Sequence, residues 1–483
     1  MRALNKEILR LALPSILANL TVPLVGLVDI AVAGHLDSSA AALIGGISIG
    51  SLMFDMMYWN FGFLRAGTGG LTAQAYGRED WSGCLANLRH ALAAALLSAL
   101  ILIAIQWPFQ KLMFLFVQCS DEVRTLALKY FYIRIWAAPA TLSLMTLRGW
   151  FIGMQDTLSS MVTDVTVNGV NILASIFLTL GIPGTFFNGI GFTGIAWGTF
   201  IAQYSGLLTA ATIFLLKYYD VFRPAVGHGR VHSRFAAAEC ALSPTALPDA
   251  ANKPDGKVEL VKVLPESTRN DKATMRQFFS VNGDLFVRSL CLMGVYLAFS
   301  AISARLGDTL LAMSSIMMKL MMIFSYFTDG FAYAGEAMTG KYIGLGDRRS
   351  LVGTIRGTFA WSMAIAVLFI GINAVAGAPL LRMMTSDESV IAAAMPYLPW
   401  LVVMPLLGCP AFTWDGIFIG ATASKDLRNS TLLCAVGFFA VWFGGSWLAE
   451  TGLHLLMAAY FTHLAIRALY LTLRYKPAVL KSF

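Results

Sequence analysis

The chain has 483 residues, 57% of them hydrophobic and only 13% charged, with mean hydropathy +0.68 and a formal net charge of +8. This balance excludes an ordinary soluble domain, and long uncharged runs point to a polytopic helical bundle rather than the roughly ten-residue alternation of a β-barrel. The positive charge marks where loops lie, because bilayers sort Lys and Arg to the cytoplasmic side; it does not indicate nucleic acid.

Twelve spans are predicted, at about 11–33, 44–66, 85–108, 126–149, 160–181, 190–216, 277–302, 311–336, 354–378, 392–419, 428–448 and 452–472. The first, LALPSILANLTVPLVGLVDIAVA, carries Pro14, Pro23 and one carboxylate, Asp29. Arg2, Lys6 and Arg10 before it and Ala31-Val32-Ala33 at its end imitate a secretion signal. The apolar run is longer than a signal core and further spans follow directly, so it reads as a retained helix. Arg78 and Arg89, Lys217 and Arg223, Lys341, Arg348 and Arg349, Lys425 and Arg428, then Arg474 and Lys476 fall in alternate turns. The 181–190 connection on the other side has no charge, so both termini are expected in the cytoplasm.

Residues 218–275 form the one long polar connection, with Pro224, Pro244, Pro248, Pro254 and Pro265. It reads as a partly disordered cytoplasmic linker with a short surface helix around 232–240. The expected organisation is a six-helix lobe over 1–217, the linker over 218–275 and a second six-helix lobe over 276–483. Gly77 and Asp80 after the second span recur as Gly344 and Asp347, and Phe151-Ile152-Gly153 recurs as Phe418-Ile419-Gly420, all 267 positions on. Six spans per lobe make the repeats parallel, with a pseudo-twofold axis along the membrane normal and a cleft between lobes as the substrate path.

Charges within the spans are few: Asp29, Asp55, Asp164, Asp284, Arg288, Lys319, Asp329, Glu336 and Asp415. Asp164, Asp284, Glu336 and Asp415 sit near predicted ends, where a side chain can snorkel to water. Asp29 lies deeper, a few residues inside the predicted outer end at Gly34. A carboxylate there is costly unless it faces protein or water, and it reads as a proton or cation site; pinning by a helix dipole or an Arg is the alternative. On the fifth span Asp164, Asn168, Asn171 and Ser175 share one helical face, and Asn171, Ser175 and Thr199 of the sixth span match the depth of Asp29. Together they offer oxygen ligands for Na⁺, whereas a proton needs only the carboxylate; Asn, Ser and Thr also join membrane helices.

Gly149/Gly153 and Gly416/Gly420 predict close helix approach, and Pro14, Pro23, Pro139, Pro396, Pro399, Pro405 and Pro410 predict bends. In the second lobe, FSYFTDGFAYAGEAMTG places Asp329 and Glu336 on one face, where Lys319 and Arg288 are candidates to neutralise them. Met313, Met317, Met318, Met321 and Met322 precede it, suited either to a pliable substrate cavity or to core packing. The six cysteines are dispersed and read as small apolar fillers. His228 and His232 lack further ligands for a metal, and no glycine-rich phosphate loop or nucleophile–base pair suggests a pump or an enzyme. No cofactor is expected beyond a transported H⁺ or Na⁺.

LALP near the start, LVDIAVAGHLD, TAQAYG, RGWFIGMQDT and DGFAYAGEAMTGKYIGLGD, in that order, resemble the multidrug and toxic compound extrusion (MATE) transporters, especially their DNA-damage-inducible F branch. The resemblance implies a secondary antiporter that exports amphipathic, cationic small molecules against H⁺ or Na⁺ influx. It further implies a monomer among lipids of a bacterial plasma membrane, the inner one in a Gram-negative cell. By position it gives Asp29, Asn171 and Thr199 the roles of the family's amino-terminal cation site. Ser175 stands where many relatives have a second aspartate, a departure that favours H⁺ coupling or a weaker ion site. The competing readings are a flippase for a lipid-linked substrate, disfavoured because mid-span bases number only about two, Arg288 and Lys319, and a scaffold or receptor that transports nothing.

Overall fold

The structure, a computed structural model, describes residues 2–34, 36, 40–117, 119–181, 188–222, 267–384, 388–448 and 452–481. Among them the first half comprises α1 (Arg2–Gly34), α2 (Ala40–Tyr58), α3 (Gly62–Gly77), α4 (Trp81–Ala104), α5 (Gln106–Phe116), α6 (Asp121–Arg134), α7 (Ala138–Gly153), α8 (Thr157–Leu180) and α9 (Thr193–Phe222). The second half comprises α10 (Ser267–Arg305), α11 (Asp308–Leu345), α12 (Arg348–Met384), α13 (Glu388–Ala394), α14 (Leu398–Gly420), α15 (Ser424–Leu448) and α16 (Leu453–Val479). The protein is an all-α polytopic membrane protein: eleven helical stretches among the described residues are long and apolar enough to cross a bilayer. Large apolar side chains face outward, Val375 87% and Trp447 86% exposed, as lipid contact requires.

The expected 126–149 crossing is less regular than the rest. Short 3₁₀ turns at Trp59–Phe61, Ile135–Ala137 and Met395–Tyr397 interrupt three of the expected spans, and this one also carries Lys129, Arg134 and Arg148. Helix α9 continues to Phe222 and α10 begins at Ser267, both inside the bounds expected for the 218–275 connection. Residues 223–266, with the expected 232–240 helix, Cys240 and both linker histidines, lie outside the described residues. Pro139 and Pro399 sit in the first turns of α7 and α14, where no backbone N–H is needed, and Pro396 lies in a 3₁₀ turn. These three start helices rather than bend them, while Pro14, Pro23, Pro405 and Pro410 are interior.

The 267-residue echo extends to backbone detail. Asp80 Oδ1 accepts from the Gly83 N–H at 2.8 Å, and Asp347 Oδ1 accepts from the Ser350 N–H at 3.0 Å, capping equivalent helices. Glu79 and Gly346, and likewise Gln155 and Thr422, hold positive φ in equivalent turns. A Cβ added at Gly149 would stand 2.1 Å from the Arg65 carbonyl oxygen, and one at Gly416 would stand 2.0 Å from that of Ala332. The α3–α7 contact thus recurs as α11–α14, each built on a glycine that lets two backbones touch.

Between the halves the same economy is reciprocal. A Cβ at Gly77 would meet the Lys341 carbonyl oxygen at 2.1 Å, and one at Gly344 would meet that of Gln74 at 2.3 Å. Exchanging the halves converts one contact into the other. Around this seam Ile8, Leu11, Ala12 and Ile16 of α1 pack with Phe331, Ala334 and Met338 of α11. Its end is tied where Glu7 accepts from Lys341 Nζ at 2.9 Å and from the Tyr342 hydroxyl at 3.1 Å. Met313, Met317, Met318 and Met321 are buried in the core of the second half, so packing is their main part.

Candidate functional site

Helix α1 carries Asp29 inward, 6% exposed, against α8. The groups that act on its charge are the Arg134 guanidinium and the Ser175 hydroxyl. Its Oδ1 is buried and finds no hydrogen-bond partner among the described residues. Beside it Ser175 Oγ donates to Asn171 Oδ1 at 3.4 Å, and Asn171 Nδ2 donates to Thr199 Oγ1 at 3.1 Å. Gly198 permits this approach of α8 and α9, since a Cβ there would stand 2.6 Å from Ser175 Oγ. Asp29, Asn171, Ser175 and Thr199 are therefore one buried cluster of oxygen-bearing side chains, suited to a proton or a small hard cation.

Asp164 and Asn168 share the α8 face but not the cluster. Asp164 is ion-paired with Arg148 of α7, and Asn168 Nδ2 donates to Thr21 Oγ1 of α1. Both join helices, the role such residues commonly have in membranes. Arg134 is a charged neighbour of the cluster that the sequence reading passed over. Its Nη1 donates to the Tyr130 hydroxyl at 2.8 Å, its guanidinium lies 4.7 Å from the Phe54 ring centroid, and its charge acts on both Asp29 and Asp55. The signal available was the cluster of three bases on one predicted span.

A second cluster lies where the halves meet, around a cavity of about 270 Å³. Arg65 of α3, Arg288 of α10, Asp329 and Glu336 of α11 and Asp415 of α14 line it. Asp329 and Glu336 both line this cavity; the charge of Arg288, an expected counter-ion, acts on Asp329, while Glu336 pairs elsewhere. Arg65 Nη1 pairs with Glu336 Oε2 at 3.1 Å, while Arg288 pairs with Asp415, which also receives Arg467 of α16. Lys319 lies apart, on a second cavity of about 130 Å³ with Met318 and Met322, and its charge acts on Asp55. Glu336 is fully buried rather than reaching water, and Asp415 is held by two arginines rather than snorkelling. The count of mid-span bases as Arg288 and Lys319 is also too low, since Arg65, Arg134, Arg148 and Arg467 belong with them.

Comparison with known proteins fits this arrangement. The MatE family model matches residues 14–177 and 285–441. The chain belongs to the MatE family. The DNA damage-inducible protein F of Escherichia coli (strain K12) is 31% identical over 465 residues, covering 96% of this chain and 90% of that protein. The probable multidrug resistance protein NorM of Pasteurella multocida (strain Pm70) is 22% identical, covering 89% and 83% respectively. A solved structure described as MATE in the bent conformation superposes with a TM-score of 0.78 at 15% identity, covering all of this chain and 98% of that one. MatE is a family of transporters, not of enzymes. Both MatE matches leave out the central segment, and the first contains Asp29, Asn171 and Ser175 but ends before Thr199. Among the described residues no group of three His, Cys, Asp or Glu side chains is placed to hold a metal ion.

Proposed function

We propose that this MatE chain is a secondary antiporter that exports small organic compounds by alternating access, with Asp29 as the group that takes the inward-moving ion. The observation that carries the reading is the buried Asp29 carboxylate with an unpartnered oxygen, set against Ser175 and the Asn171–Thr199 hydrogen bond. A carboxylate held in that way is stable only while its charge is balanced. With the cleft open outward, H⁺ or a cation reaches Asp29 and neutralises it, α1 repacks against α8, and substrate is released. Return to the inward state delivers the ion. With Ser175 in place of a second acid and Arg134 nearby, the cluster has little negative charge to attract Na⁺, which favours H⁺.

The architecture that serves this cycle is a pair of parallel six-helix lobes, twelve spans in all, related by a pseudo-twofold axis along the membrane normal. The reciprocal Gly77–Lys341 and Gly344–Gln74 approaches support it. The alternating distribution of Lys and Arg favours cytoplasmic termini and linker in a bacterial plasma membrane, the inner membrane if Gram-negative. We take the working unit to be a monomer surrounded by lipid.

The test is efflux from inside-out vesicles with a proton or sodium gradient imposed separately, for the wild type and Asp29→Asn. Asp29→Asn should fold and lose gradient-driven efflux. Wild-type rates in that variant under both gradients would end the proposal. A lipid-diphosphate flippase is the weaker reading: the cleft holds more arginines than the sequence count suggested, but Arg65, Arg288 and Arg467 each contact a carboxylate, leaving no bank of free bases for a diphosphate.

A further inference from the structure

We infer that Asp55 of α2 and Lys319 of α11 are the two parts of a latch that holds one mouth of the central cleft shut, the mouth opposite the glycine seam. The inference rests on the alternating-access reading, since a latch serves only where the halves rock.

The seam sets the register of two helical stretches. Ala42–Gly77 and Thr309–Leu345 are each long and apolar enough to cross as one span, and they touch at their final turns. There a Cβ at Gly77 would meet the backbone of Lys341, 264 positions on, and a Cβ at Gly340 would meet Ala73, 267 positions back. Gln74 and Gly344, also in contact, are 270 apart. Equivalent helices of parallel repeats run in the same direction, so residues 264–270 apart oppose one another at every depth.

Asp55 and Lys319 are 264 apart, the spacing of Gly77 and Lys341. Each precedes its seam residue by 22 positions, about 33 Å at 1.5 Å per residue, which is close to the thickness of a hydrocarbon core. The pair therefore belongs to the far mouth. Both side chains are exposed, and neither takes part in an ion pair among the described residues. The Lys319 charge nevertheless acts on Asp55, and the Asp55 charge acts on Tyr296 and Tyr326 of the second half. Arg134 acts on Asp55 as well, but its Nη1 is engaged by Tyr130 in the same half. It travels with Asp55, whereas Lys319 changes its distance as the halves rock.

Just inward of the pair, the halves touch through side chains that tolerate tilting. The Trp59 and Tyr296 ring centroids lie 5.3 Å apart, and Asn60 Nδ2 donates to Met293 Sδ at 3.2 Å. A tilt about these contacts that parts the glycine seam carries Asp55 toward Lys319. An exposed ion pair is weak, which suits a latch: it favours the shut state and still releases. A pair as enclosed as Arg65 and Glu336 would lock instead.

The test places a reporter beside the charges without altering them. Leu52 and Ile316, again 264 apart, lie one turn before Asp55 and Lys319 on the same helices. In the full chain carrying Leu52→Cys and Ile316→Cys, purified in detergent, linkage by a short bismaleimide is followed by peptide mass mapping. The parent should link. Asp55→Asn or Lys319→Gln should slow linkage about fivefold, Lys319→Arg should retain it, and the double neutral variant should be no slower than either single one. Added salt should slow the parent and leave Lys319→Gln unchanged. No linkage in the parent, parent rates in folded Lys319→Gln, or losses that add in the double variant would overturn the inference. If Asp55→Asn does not fold, Lys319→Gln against Lys319→Arg decides it alone. Charge-dependent linkage together with wild-type efflux in Asp29→Asn counts against the ion-coupling reading only. Charge-independent linkage with Asp29→Asn inactive counts against this inference only.

Discussion

Arg65 and Glu336, 271 residues apart in sequence, meet as an ion pair at 3.1 Å that joins α3 to α11 across the two halves. Glu336 is fully enclosed, whereas Arg65 keeps 22% of its side chain exposed and also stacks over Tyr333. Removing the arginine leaves a carboxylate in protein with nothing to balance it.

Arg65→Ala should therefore cost about 3–5 kcal/mol of stability, while the double replacement Arg65→Met with Glu336→Leu should recover most of that loss. Thermal unfolding in detergent, followed by size-exclusion fluorescence, measures both. If the single and double variants melt together, the pair has no such coupling.

Gly149→Ala and Gly416→Ala should be destabilising to a similar degree, about 1–3 kcal/mol or more, because each new methyl would be driven against a carbonyl oxygen of the neighbouring helix. Alanine at Gly26, with nothing within 4 Å of its added Cβ, is the control and should melt near the wild-type temperature.

Thr199→Val keeps the shape of the side chain but removes the acceptor for Asn171 Nδ2. A net loss of about 1 kcal/mol in stability is expected, with the penalty of an unpaired buried amide on top of it. Gradient-driven efflux should fall by about tenfold if that amide then turns toward Asp29, a change equal to about 1.4 kcal/mol in the rate-limiting barrier. Ser48→Ala on α2, where the hydroxyl only returns to its own helix at Ile44, should leave efflux unchanged.

Asp156, in the turn between α7 and α8 and outside the spans, carries a pH dependence of definite sign. Burial pushes its carboxyl up, but hydrogen bonds from Lys217 at 2.6 Å, Ser159 and Tyr218 at 2.7 Å outweigh it and hold the group below its ordinary value of 3.8. A folded-state value below the unfolded one stabilises the fold above the unfolded value and is lost as pH falls through the folded value. Asp156→Asn should thus lower the melting temperature at pH 7, and the gap from wild type should close on acidification below about pH 4. A gap that stays constant down to pH 3 would show that the charge is not its source.

The sequence carries the helical crossings openly, because hydrocarbon selects for apolar residues one position at a time and each span records this locally. It also carries the 267-residue echo, since the capping aspartates at 80 and 347 and the close-contact glycines at 149 and 416 need a specific residue type at each position. The cluster around Asp29 is readable for a related reason: Asn171 and Ser175 are polar residues spaced one turn apart in the apolar second half of their helix, NILASIFLTL. The counter-charges are not. Arg65 lies at a predicted helix end where a base looks ordinary, Arg467 sits among Ala, Ile and Leu with no pattern around it, and the partner of each comes from a distant helix. Lys319 is close to Asp329 and Glu336 along the chain, yet the arginines that act on those acids come from α3, α10 and α16. Pairing across a bundle depends on which helices are neighbours, and nothing local encodes that.

The glycine approaches at the junction of the halves have a mechanical consequence. Where Gly77 and Gly344 each meet an opposing carbonyl, the contact itself buries few side-chain atoms, so parting the helices at those two points strips away little packing. Such a joint behaves as a zip fastener whose teeth are peptide units: strong while every tooth is seated, undone from one end at low cost, and jammed by a single added methyl.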